Sequence, residues 1–93
     1  MTYIIEKTEK VTVGAAAAEV AVNCRAFLLV NASEAETVYF RESSEDGAGA
    51  TADNSFALLP GQMMPHPLTA RTLSLAASGE GTAVHILYLG EGY

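Results

Sequence analysis

The chain has 93 residues, 49% of them hydrophobic, with 5 Lys+Arg against 11 Asp+Glu and a net charge of −6. A single domain of this length buries roughly 60–65% of its surface, and the acidic balance has the wrong sign for binding nucleic-acid phosphates or an anionic membrane surface. The one cysteine, Cys24, rules out an intrachain disulfide or a thiolate metal cluster and reads as a small buried filler.

In chain order, Thr2–Thr8 alternates β-branched and aromatic residues with polar ones, and Val11–Val13 continues that style to Gly14. The segment 1–13 therefore reads as an N-terminal strand, or as an arm laid against a neighbour that deletion of residues 1–10 would remove without unfolding the domain. Ala15–Ala18 is too short for a stable helix and reads as a turn or a close-packed strand. Glu19–Val22 and Ala26–Asn31 read as strands, the second apolar enough to be covered on both faces. Asn31–Glu36 is turn material, and Thr37–Arg41 is a further strand.

Residues 42–54 are almost free of apolar bulk and read as a long mobile loop. Ser55–Leu59 resumes strand character and ends at the Pro60-Gly61 turn pair. Gln62–Pro67 is an extended stretch stiffened by two prolines. The last third, Leu68–Leu89, reads as a β-hairpin turning on Gly79-Glu80, a type II′ loop with positive φ at Gly79. In that register Leu75 faces Val84 and Leu73 faces Ile86, forming one inward stripe. The opposite stripe, Ser74, His85, Leu87 and Leu89, is too apolar to face only water and needs a cover.

About seven short strands, turn signals every eight to twelve residues and no helix predict one all-β domain over residues 1–93, a small antiparallel β-sandwich or jelly roll. Its core is modest and much of its apolar content is alanine, so completion by a homo-oligomer is expected. No apolar run reaches the roughly 18 residues of a membrane span. The start lacks the basic and apolar regions of a secretory signal, so synthesis in the host cytoplasm is expected.

Catalytic chemistry needs a nucleophile, a base and a group that orients the base. The chain offers two histidines, His66 between prolines and His85 within a strand, and neither has a third ligand or a partner at a suggestive spacing. Glu45-Asp46-Gly47 is only a fragment of a calcium loop, and Gly47-Ala-Gly49 lacks the lysine and helix of a phosphate loop. No catalytic, metal or cofactor site is expected. The candidate intermolecular contacts are apolar: Tyr3, Ile4 and Ile5 near the N-terminus, Met63 and Met64 beside the prolines, and Leu87 and Leu89 on the uncovered stripe.

The segments Ala26-Phe-Leu-Leu-Val-Asn-Ala-Ser33, Thr37-Val-Tyr-Phe40, Phe56-Ala-Leu-Leu-Pro-Gly-Gln62, Leu73-Ser-Leu-Ala-Ala-Ser-Gly-Glu-Gly-Thr82 and Val84–Leu89 together resemble small virion structural proteins of tailed bacteriophages, notably capsid decoration (cement) proteins. The resemblance spans roughly residues 20–90 and is a pattern of strands and turns. It implies a non-enzymatic protein of the virion, a dimer or trimer bracing the capsid exterior, with the major capsid protein or another virion protein as partner. Two other readings stand beside it. One is a tail- or fibre-associated module binding a receptor or carbohydrate, with Tyr39 and Tyr88 as aromatic platforms. The other is a small cupin-type enzyme, for which only His66 and His85 are available as ligands.

Overall fold

The computed structural model describes residues 3–23, 25–43 and 49–91. Among these the chain forms eight strands and no helix: β1 (Tyr3–Val13), β2 (Ala18–Ala21), β3 (Ala26–Asn31), β4 (Val38–Glu42), β5 (Phe56–Leu58), β6 (Leu68–Thr69), β7 (Thr72–Ala77) and β8 (Thr82–Glu91). They make two antiparallel four-stranded sheets, sheet A in the order β1-β8-β3-β6 and sheet B in the order β2-β7-β4-β5. Every consecutive pair except β4 and β5 changes sheet. This interleaving is the strand order of an eight-stranded jelly roll. The strand beyond the expected seven is β6, whose two residues are too few to show a period.

The core lies between the sheets and follows the period-2 alternation of the sequence. Phe27 and Leu29 from β3, Ile86 and Val84 from β8, Val38 and Phe40 from β4, and Leu73 and Leu75 from β7 are all buried and belong to one apolar cluster. The Pro60-Gly61 pair forms a type II turn: the Gln62 N–H donates to the Leu59 carbonyl at 2.9 Å, and Gly61 has φ 76°. That conformation suits glycine because it has no Cβ. Ala15 and Ala16 form a bend rather than a helix.

The terminal hairpin is not formed. β7 sits between β2 and β4 in sheet B, where Leu73 lies opposite Val20, and Leu75 lies opposite both Ala18 and Phe40. β8 sits between β1 and β3 in sheet A. Residues 78–81 therefore arch from one sheet to the other, and the left-handed residue is Gly81 (φ 71°), not Gly79. Other segments hold the arch: Ser78 N–H donates to the Thr37 carbonyl at 2.9 Å, and Ala77 N–H to the Gly14 carbonyl at 2.8 Å. Leu73, Leu75, Val84 and Ile86 do point inward as expected, but from opposite sheets. Alternation specifies a strand's faces and leaves its neighbours open.

Residues 3–13 are paired with β8 of their own chain over ten positions, with a β-bulge between Ile5 and Lys7. Of the expected mobile loop over 42–54, Glu42 ends β4 and Ser43 N–H donates to the Thr72 carbonyl at 2.8 Å. Gly49–Asn54 folds back onto β7. Ala50 is buried with its N–H on Ser74 Oγ at 2.9 Å, and the Asn54 side chain holds both Gly49 O and Thr51 N. The rest of that loop, residues 44–48, lies outside the described residues, as does Cys24 with its expected burial.

Candidate functional site

Directly opposed residues in an antiparallel pair share a face, so the register reveals what sheet A presents to the outside. From β8 the outward residues are Ala83, His85, Leu87, Leu89 and Glu91. Across the strand pairs, Ile5 and Ala26 flank Leu89, Thr8 and Leu28 flank Leu87, and Lys10 and Val30 flank His85. Met63 extends the last row through an isolated bridge to Val30, and Tyr3 lies opposite Glu91 at the other end. Three segments far apart in sequence, joined through β3, thus place Tyr3, Ile5, Met63, Leu87 and Leu89 on one surface.

The β1 bulge makes this possible for Ile5. Residues 7, 9, 11 and 13 face the interior, and unbroken alternation would send Ile5 there too. The extra residue, Glu6, reverses the parity and leaves Ile5 outside, 61% exposed. Ile4, opposite Gly90, falls on the other side of the strand.

Two of the expected contacts are corrected in detail. Met64 is a core residue, 3% exposed, because its backbone N–H bonds the Leu29 carbonyl at 3.0 Å while its Sδ accepts from Leu29 N–H at 3.3 Å. Its neighbour Met63 points the other way and is 51% exposed. Leu89 faces outward but sits between Ile5 and Ala26 with only 7% of its surface exposed, so it forms the floor of the patch rather than its contact surface. Leu28 and Val30, read from the sequence as covered on both faces, are half-exposed on this surface and complete it.

Charge is distributed unevenly. Among the paired residues of sheet A, the charged side chains on this face are Lys10, in the row of His85, and Glu91, at the far end. The remaining described carboxylates lie elsewhere, many of them engaged. Glu6 pairs with Arg25 at 2.8 Å, Glu80 accepts from Ala15 N–H at 2.7 Å, Glu42 from Arg71 N–H at 3.0 Å, and Glu36 from Ser78 Oγ at 2.6 Å. Glu19 accepts from Ser43 Oγ.

A second feature opens between the edges of β1 and β2, a cleft of about 660 Å³ lined by Lys7, Glu9, Glu19, Asn23, Arg25 and Tyr88 among others. Lys7 Nζ and the Arg25 guanidinium lie 5.5 and 5.1 Å from the Tyr88 ring centroid, and the Tyr88 hydroxyl donates to Glu9 at 2.8 Å. Burial first, and then the Glu9 carboxylate, push the Tyr88 phenol up to about 12, with Arg25 opposing. With its ring buried and both cations against it, Tyr88 is not an open aromatic platform for a sugar. Tyr39 is half-buried on β4.

The third feature is an apolar groove of about 260 Å³ at the β5–β6 edge, lined by Phe40, Phe56, Met64, Pro65, His66 and Leu68. Phe56 stacks on Phe40 with centroids 5.5 Å apart but remains largely exposed, and Leu68 is also exposed. Neither was singled out from the sequence, since Phe56 lies in a three-residue strand and Leu68 in a two-residue one. His66 lines this groove, whereas His85 stands on the outer face of sheet A, so the two histidines serve different surfaces. Among the described residues no group of three His, Cys, Asp or Glu side chains is placed to hold a metal ion.

No protein-family model, no curated protein and no solved structure matches this chain.

Proposed function

We propose that this chain is a non-enzymatic virion structural protein of the capsid-decoration type, which oligomerises and binds the exterior of a capsid lattice. The observation that carries this reading is the placement of large apolar side chains outward on a rigid sandwich. Ile5 and Met63 project from sheet A, and Phe56 and Leu68 line the β5–β6 edge. A protein of net charge −6 with that much exposed apolar surface is suited to stable contact with other proteins. The jelly roll itself hosts many activities, so the surface, and not the fold, supports the proposal.

The test is to mix purified protein with undecorated particles of the encoding phage and to image them. Extra density following the capsid symmetry is expected, and bare particles at saturating protein would overturn the reading. Glycan binding abolished by Tyr39→Ala would instead favour the receptor-binding alternative.

A further inference from the structure

We infer that the outer face of sheet A is the docking surface for a second copy of this chain, the two sheets stacking face to face about a two-fold axis that crosses β8 between Leu87 and Leu89. This rests on the oligomeric part of the proposed function and needs no capsid.

Three observations select a second copy as the occupant. The first is the arrangement of rows. An axis at that point lays the Leu87 row, with Leu28 and Thr8, over the partner's Leu89 row, with Ile5 and Ala26. Closed two-fold symmetry requires such a self-complementary patch.

The second is charge. Lys10 and His85 share one row and Glu91 occupies the row at the far end, so the same axis brings His85 over Glu91 of the partner subunit, with Lys10 one strand to the side. No other charged side chain among the paired residues of sheet A stands on this face. Copies of net charge −6 repel over the Debye length of about 8–10 Å, and the surface almost free of carboxylates is where they approach at least cost.

The third is size. The molecule measures 39 × 32 × 18 Å, its thin direction spanning two sheets packed about 10 Å apart. The broad face is therefore of the size at which a specific pair buries about 800 Å² per partner.

The experiment measures solution mass against concentration for the intact protein, for Leu87→Lys, and for Phe56→Ser as a control at the opposite edge. A dimer for the intact protein and for Phe56→Ser, with a monomer for Leu87→Lys that keeps a cooperative thermal transition at a lower, concentration-independent midpoint, is expected. A charge-swap series supplies the second arm should Leu87→Lys fail to fold. Lys10→Glu should weaken the dimer about tenfold, and Lys10→Glu combined with Glu91→Lys should restore it. A strictly monomeric intact protein overturns the inference, as does a dimer that neither Leu87→Lys nor Lys10→Glu weakens. Incubation with undecorated particles separates the two readings. An intact monomer that still coats particles overturns the stacking alone, whereas a dimer that coats none overturns the capsid reading alone.

Discussion

Asn31 shows how much a single side chain does in this fold. It is fully buried at the end of β3, where its Nδ2 donates to the carbonyls of Glu36 at 2.7 Å and Leu58 at 3.0 Å, while its Oδ1 accepts from Ser33 N–H at 3.0 Å. One amide thus ties the turn after β3 to the end of β5. Asn31→Ala removes the donor to the buried Leu58 carbonyl and the part-buried Glu36 carbonyl and should lower stability by about 2–4 kcal/mol, read from denaturant unfolding. Asn31→Asp should cost more at neutral pH, because a carboxylate has no proton to donate to either carbonyl. From the sequence Asn31 read as ordinary turn material, since its burial depends on β5, about 27 residues away in the chain.

Tyr88 carries a pH prediction of definite sign. Its phenol keeps the proton to about 12 in the folded chain, above the ordinary value of 10.0. The stability it supports is therefore intact below pH 10 and lost as pH rises from 10 to about 12, because the unfolded chain releases that proton first. Ultraviolet titration of the phenolate bands should show one tyrosine ionising late. Tyr88→Phe should remove its share of the alkaline loss while costing about 1 kcal/mol at neutral pH through the missing bond to Glu9.

At the level of elements, β7 and β8 define what a sequence pattern conveys. Their alternation correctly marked Leu73, Leu75, Val84 and Ile86 as inward, and the turn residues between them correctly marked a reversal of direction. Pairing was not encoded locally. β7 is buried on both faces, with Ser74 and Ala76 covered as well, and it pairs along both edges, with β2 and with β4. The contact surface was legible to the same degree. Leu87 and Met63 were visible as apolar residues without a place in the core, whereas Ile5 reached the surface through a bulge and Met64 left it through its bonds to Leu29. Neither event has a signature in a run of residue types.

Amide exchange offers a direct check on the two-sheet arrangement. The slowest exchange should fall in the strands flanked on both sides, around Leu28–Val30 in β3, Val84–Leu87 in β8 and Leu73–Leu75 in β7. β5 and β6, three and two residues long at sheet edges, should exchange much faster. Equal protection of β6 and β8 would contradict the strand order.

For the molecule as a whole, β1 is structural before it is anything else. It supplies Val13 to the core, places Glu9 against the Tyr88 hydroxyl and covers one long edge of β8. Removing residues 1–10 bares that edge over most of its length, and a long exposed edge recruits other chains. The truncated protein is expected to aggregate or to lose its thermal transition, as measured by light scattering and circular dichroism, rather than to survive as a folded domain without an arm.

The interleaving of strands between the sheets also bears on how the protein comes into being on the ribosome. β8 follows the other seven strands in chain order, yet it lies at the centre of sheet A and joins β1 to β3. While β8 is still in the exit tunnel, β1 and β3 have no common neighbour, and sheet A is reduced to the short β3–β6 pair. Before then the chain can close sheet B and pair β3 with the two residues of β6, so the sandwich forms only once β8 emerges, at the slower pace of a topology dominated by distant pairings. The outer face of sheet A is therefore assembled no earlier than the core between the sheets.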